Sequence, residues 1–208
     1  DVICSNIAAL EPNWVYQNTF QILSFENNDH IFKYYCKILT FLIEHNHLTL
    51  WNALNYNQHI SRLSKSSVFL FYDSILRLCN DETSFLQVTP YVTKVIVKDI
   101  FETHSLAYLN LVKHYFNRHN MITKQFVIHS VTSRYENICQ IINFIGLSKD
   151  MNAILLLMQT LKSHCDSESE TILCQELVNF INRYLIDLVK NNPIFHYLKQ
   201  KYNISNTE

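Results

Sequence analysis

The side chains best suited to chemistry are a histidine and two cysteines in the last quarter of the chain. His164, Cys165 and Cys174 carry the nitrogen and thiolate donors that bind zinc in proteins. Structural zinc sites, however, draw on closely spaced pairs of ligands on two sides of the metal. These three residues show no such pairing, and no second pair follows them. We therefore expect no metal site.

A second candidate is the triplet His45-Asn46-His47, because some metal-dependent nucleases carry a His-Asn-His motif. Those enzymes hold the motif in a finger of two strands and a helix, whereas here it lies between apolar runs without suitably spaced acids. Nucleophile elbows, phosphate-binding loops, His-Glu-x-x-His helices and Cys-x-x-Cys pairs do not occur either. We expect no catalytic residue, no cofactor and no enzymatic activity. The alternative, an enzyme with a dispersed site, requires a pocket of titratable groups with shifted pKa values.

Positive charge is the third candidate feature. The whole chain carries 17 Lys and Arg against 18 Asp and Glu, but the basic residues are concentrated between residues 62 and 134. We expect one basic face made of six residues: Lys94, Lys98, Lys113, His114, Arg118 and Lys124. Such a face would bind an acidic partner protein. Nucleic acid is an alternative ligand, because phosphate contacts require only suitably placed cations, and a solvated helix surface without a ligand is the plainest alternative.

The elements that must position these residues are helices. One glycine and three prolines in 208 residues argue against folds that need glycine-rich turns and phosphate loops. Apolar residues recur at three- and four-residue steps, which is the period of an amphipathic helix. On the helix over 105–118, the pattern places Leu106 inward. The predicted helices are 31–45, 66–79, 91–102, 105–118, 134–145 and 148–164, with shorter ones in 12–25, 48–63, 123–132 and 194–202.

Three further signals predict where helices begin and end. Pro90 fits the first turn of a helix and predicts a start there. Gly146 predicts a glycine C-cap that ends the helix before it. Ser167 and Glu170 predict a capping box, which would open one long amphipathic helix that continues to Pro193.

The spacing of the elements indicates the architecture. Helix starts near 31, 66, 105, 134 and 169 leave room for one helical hairpin in each interval. We therefore expect an all-α fold, either an irregular stack of hairpins of the HEAT or armadillo type or a compact multi-helix bundle. Residues 1–208 are expected to form a single domain, with a subdivision near 80–89 as the alternative. Because the chain begins at Asp1 rather than Met, we expect a fragment of a longer protein.

Cysteine usage and hydropathy indicate the compartment and the function. The six cysteines show no paired spacing, which is typical of reduced thiols in an intracellular protein of the nucleus or cytoplasm. We expect no association with a membrane, since apolar runs of about 18–20 residues do not occur. Apolar residues make up 48% of the chain and charged residues 17%, which predicts apolar surface that a partner covers. These features predict a protein–protein interaction scaffold within a larger complex.

Overall fold

The computed structural model describes residues 29–44, 63–118 and 133–205. Within these ranges the chain forms nine α-helices, one short 3-10 helix at Glu168–Glu170 and no strand, which confirms the all-α prediction. The helices expected at 12–25, at 123–132 and over most of 48–63 lie outside the described ranges. The nine helices are α1 (Asp29–Glu44), α2 (Lys65–Leu78), α3 (Glu82–Lys98), α4 (Leu106–Arg118), α5 (Arg134–Ser148), α6 (Met151–His164), α7 (Thr171–Tyr184), α8 (Ile186–Val189) and α9 (Pro193–Lys201).

The described residues fall into two compact units. Unit 1 takes residues 29–44, 63–92 and 105–118, and unit 2 takes residues 93–104 and 133–205. The expectation of one domain over 1–208 stays a prediction, and so does the choice between a hairpin stack and a bundle.

In unit 1 the central helix is α2, which packs against both α1 and α4. Ser64 caps its start, because the Ser64 hydroxyl accepts a hydrogen bond from the Ser67 N–H at 3.1 Å. The inner face of α2 is rich in aromatic side chains. The ring of Phe69 meets the ring of Tyr108 from α4 edge to face, with centroids 5.2 Å apart. Edge-to-face pairs add to the stabilisation that apolar burial provides.

Helix α3 begins at Glu82, so the predicted start at Pro90 is wrong. Asp81 caps the first turn, since its Oδ1 accepts a hydrogen bond from a backbone N–H at 2.7 Å. Phe85 and Val88 are buried and extend the apolar face toward the N-terminus of the helix. A proline inside a helix costs about 3 kcal/mol. Burial of each of these two side chains contributes about 1.5–3 kcal/mol, which offsets the cost of Pro90.

In unit 2 the central helix is α7, which contacts α5, α6, α8 and α9. Its buried side chains follow the three- and four-residue steps of a helix face, and four of them have no exposed surface: Cys174, Leu177, Val178 and Ile181. Helix α6 packs against the same neighbours, α5, α8 and α9. Helices α6 and α7 together therefore form the inside of unit 2.

The long helix predicted from Ser167 to Pro193 is divided in the structure. Ser167 makes no side-chain capping bond, and the carboxylate of Glu170 accepts hydrogen bonds from Arg134, so the capping box does not form. The chain then bends at Leu185, which separates α7 from α8. Pro193 occupies the first turn of α9, the position at which proline loses no helical hydrogen bond.

Gly146 lies inside α5, so the predicted glycine C-cap is also wrong. Helix α5 ends two residues later, and the left-handed residue that closes it is Lys149, with φ of 53°. The absence of a side chain at Gly146 serves close packing instead. A Cβ atom at this position would lie 2.3 Å from Cδ2 of Leu185. A side chain at position 146 would require the partly exposed side chain of Leu185 to move.

Candidate functional site

The candidate site is built on α4. Ser105 caps the helix, since its hydroxyl accepts a hydrogen bond from the Tyr108 N–H at 3.4 Å. One side of α4 faces the core of unit 1 and buries Tyr108, Leu111, Val112, Tyr115 and Phe116. The other side is exposed and carries Leu106, Asn110, Lys113 and Asn117. Together with Arg118, which is exposed in the last turn about 140° around the helix from Lys113, these residues form what we call the α4 stripe.

The sequence prediction placed Leu106 in the core, and this prediction is wrong. Its side chain is 70% exposed. Since successive helical residues are turned by about 100°, Leu106 lies about 160° around the helix from the buried Tyr108 and within about 20° of Lys113. The α4 stripe therefore begins with an apolar side chain and ends with cations.

Lys113 and Arg118 are the charged groups of the stripe. Both are exposed, and within the described residues neither takes part in an ion pair or a side-chain hydrogen bond. Helix α4 contains no Asp or Glu that could neutralise them. Arg118 also lies in the last turn, where the helix dipole favours a cation. The end of α4 therefore carries two exposed cations without an ion-pair partner among the described residues.

His114 plays a different part from its neighbours. Its Nδ1 contacts Oδ1 of Asp73 on α2, a carboxylate that is only 8% exposed. The other carboxylate oxygen of Asp73 accepts a hydrogen bond from Nε of Arg77 at 3.2 Å. A buried carboxylate requires such partners because desolvation penalises an unpaired charge. His114 therefore connects α4 to α2 through its contact with Asp73, and we do not include it in the α4 stripe.

The remaining residues of the predicted basic face lie elsewhere. Lys94 and Lys98 are exposed one turn apart on the part of α3 that belongs to unit 2, whereas Lys113 and Arg118 belong to unit 1. Lys124 lies outside the described residues. That these cations lie together on one face therefore stays a prediction.

Four buried cysteines have thiols with raised pKa values. Burial raises the pKa of Cys36 and Cys174 to about 12, and that of Cys79 and Cys139 to about 11. At neutral pH these thiols are protonated and weakly nucleophilic, since the thiolate is the reactive form. All the described cysteines are free of disulfides.

Sequence reasoning missed a cluster in unit 2 that is centred on Arg134. Its guanidinium donates two hydrogen bonds to the carboxylate of Glu170, at 2.8 and 3.0 Å, and two to the carbonyl oxygen of Phe101, at 3.0 and 3.3 Å. The ring of Phe101 in turn stacks on His164, with centroids 4.3 Å apart. The cluster joins α5, α6 and the start of α7 to the 93–104 segment. Its members are too far apart in sequence to form a recognisable motif.

Metal and membrane features were sought in the same described ranges. These ranges contain no group of three or more His, Cys, Asp or Glu side chains that could hold a metal ion. None of their helices combines the length and apolarity needed to cross a lipid bilayer. The triplet His45-Asn46-His47 lies outside them. Comparisons with protein-family models, curated proteins and solved structures found no significant match.

Proposed function

We propose that the chain is a protein–protein interaction scaffold of a larger intracellular complex, and that the α4 stripe binds an acidic segment of a partner protein. The proposal is based on one observation: Lys113 and Arg118 are exposed and unpaired, within the described residues, on a helix without acidic residues. Complementary charge favours association with carboxylate-rich surfaces and disfavours basic ones. The role is one of binding without a cofactor rather than of catalysis.

The dimensions of the stripe suit a short peptide element. From Leu106 to Arg118 it extends for about 18 Å along the helix. An amphipathic partner helix of about three turns would cover that length, with an apolar side chain against Leu106 and carboxylates against the cations. Leu106 would lose its large exposed apolar surface in the complex, and such an apolar contact contributes affinity that charge alone does not.

An acidic protein segment is favoured over nucleic acid by the number of cations. Each phosphate neutralised by a protein adds about 0.9 to the slope of log affinity against log salt, and nucleic-acid proteins commonly neutralise six or more. The stripe offers two cations, which would bind nucleic acid weakly at physiological salt. The free, protonated thiols of the core support a reducing compartment, the nucleus or the cytoplasm.

The test is a quantitative pulldown from native extract with three versions of the full chain. The first is wild type, and the second is Lys113→Glu/Arg118→Glu, which reverses the charge of the stripe. The third is Lys149→Glu/Lys190→Glu, a control that makes the same change in charge at two exposed lysines of unit 2. Extract is treated with nuclease in a parallel arm.

We expect at least one protein to be recovered by wild type and by the control but lost with the stripe variant. Equal recovery by all three versions would place the interface elsewhere and contradict the proposal. Loss of the recovered material after nuclease treatment would favour nucleic acid instead. Far-UV circular dichroism of each variant confirms that the helices are retained.

A further inference from the structure

A separate cluster in unit 2 joins a cysteine to a lysine. Cys165 follows the last residue of α6, and Lys201 is the last residue of α9, a helix that packs against α6. The Nζ atom of Lys201 lies 3.5 Å from Sγ of Cys165. The same Nζ donates a hydrogen bond to Oδ1 of Asp166, which itself lies 3.8 Å from the sulfur.

The surroundings of the two atoms differ in their exposure to solvent. Cys165 is 1% exposed, and its S–H points to the carbonyl oxygen of Lys162 at 2.9 Å, which leaves the sulfur lone pairs available to Nζ. The side chain of Lys201 is 27% exposed and that of Asp166 is 74% exposed. A small oxidant can therefore approach from the side of the lysine and the carboxylate. The hydrogen bond from Lys201 to Asp166 raises the pKa of Lys201, so Nζ must lose a proton before it can react with an oxidant.

We propose that Cys165 and Lys201 form a redox switch, in which hydrogen peroxide joins Sγ to Nζ through a single bridging oxygen. The separation of 3.5 Å in the reduced protein is short enough for one oxygen atom to connect the two after a small side-chain movement. The bridge would covalently fasten the end of α9 to the end of α6.

The chemistry balances with two molecules of peroxide. In the first step Sγ attacks a peroxide oxygen, so that an S–O bond forms, the O–O bond breaks and water leaves, which yields a sulfenic acid. Nζ, which Asp166 holds as an ammonium, first loses a proton to solvent water. It then takes an oxygen from the second peroxide with loss of water. The resulting hydroxylamine oxygen displaces the sulfenic hydroxyl from sulfur, and the third water leaves.

Sulfur and nitrogen are each oxidised by two electrons in this sequence, and the two peroxides are reduced. Two molecules of a dithiol reverse the change, since each supplies two electrons as it forms a disulfide; the four electrons restore the thiol and the amine and release the bridging oxygen as water. The switch is therefore reversible, unlike the sulfinic and sulfonic acids that further oxidation of a thiol produces.

Mass spectrometry of the peroxide-treated chain tests the proposal. We expect wild type to gain about 14 Da, one oxygen less two hydrogens, and to lose the gain on treatment with dithiothreitol. Trypsin should fail to cleave after Lys201, and fragmentation should join its peptide to that of Cys165. The gain should be absent from Cys165→Ser and from Lys201→Arg, which keeps the charge beside Asp166, and present in the control Cys139→Ser.

Three results would overturn the proposal. One is oxygen addition at Cys165 while Lys201 stays unmodified. Another is a loss of about 2 Da with a disulfide between Cys165 and Cys174. The last is the absence of any change in mass. Since the wild-type measurement needs no substitution, a variant that fails to fold leaves the test intact.

Discussion

Replacement of Gly146 by alanine gives the sharpest test of the packing in unit 2. At an exposed helix position, Gly→Ala stabilises a helix by about 1 kcal/mol. At Gly146 the new Cβ would lie 2.3 Å from Cδ2, 3.1 Å from Cδ1 and 3.3 Å from Cγ of Leu185. Overpacking of this kind costs about 1–3 kcal/mol. We therefore expect Gly146→Ala to lower the free energy of unfolding by up to about 2 kcal/mol, the difference between these two effects.

A double-mutant cycle separates the two contributions. Leu185→Ala removes all three contacting atoms, so Gly146→Ala in that background should stabilise the protein by about 1 kcal/mol. The coupling free energy should then be about 1–3 kcal/mol. Urea denaturation followed by circular dichroism at 222 nm measures each variant. Stabilisation by Gly146→Ala in both backgrounds would refute the close approach of Leu185 to α5.

Three further predictions concern the ion-pair cluster, the buried thiols and the helix caps. Arg134→Met should lower the free energy of unfolding by about 1–3 kcal/mol. The decrease should exceed that of Glu170→Gln, because loss of the arginine also leaves the Phe101 carbonyl without its donor. Urea denaturation measures the free energy of unfolding of each variant. Burial raises the pKa of Cys36 from 9.0 to about 12, so the stability this thiol contributes is complete below pH 9 and declines above it, by about 1.4 kcal/mol at pH 10. A comparison with Cys36→Ala at pH 7 and pH 10 measures that decline. Asp150→Ala should lower the free energy of unfolding by about 1 kcal/mol because α6 loses its N-cap, whereas Asp150→Asn should lower it little because asparagine can also cap a helix. Thermal unfolding of the two variants measures the difference.

Local patterns predicted the helices well where the deciding contacts are also local. The ends of α2 and α4 fall within one residue of the prediction, because Ser64 and Ser105 cap them and the apolar period runs without interruption. The same period places Leu106 outward, about 160° around the helix from Tyr108, and the prediction was wrong because it counted Leu106 as a core residue for its apolar side chain.

Distant partners explain the predictions that were wrong. Gly146 resembles a C-cap in sequence, but its role is set by Leu185, which lies 39 positions later on another element. Glu170 has the spacing of a capping box with Ser167, yet Arg134 binds its carboxylate from 36 positions away. Contacts at such separations leave no trace in local sequence patterns.

In the candidate site, too, local features were predictable from the sequence and contacts between distant residues were not. Exposure of Lys113 was predictable because it falls opposite the apolar period of α4, and exposure of Arg118 was predictable because it is the last residue of the helix. The engagement of His114 by Asp73 was not, since the two residues are 41 positions apart. Nor does the sequence bring Cys165 beside Lys201, because only the packing of α9 on α6 places them together.

The affinity of the α4 stripe for a purified partner tests the central proposal most directly. The protein recovered by wild type in the pulldown is titrated by isothermal calorimetry with wild type, Lys113→Glu/Arg118→Glu, Lys113→Arg/Arg118→Lys and the control Lys149→Glu/Lys190→Glu. Reversal of two charges at an interface should weaken binding about tenfold or more, which is about 1.4 kcal/mol. The charge-conserving variant and the control should stay within about twofold of wild type. An affinity for the charge-reversed stripe equal to that of the control would contradict the assignment of α4 as the binding surface.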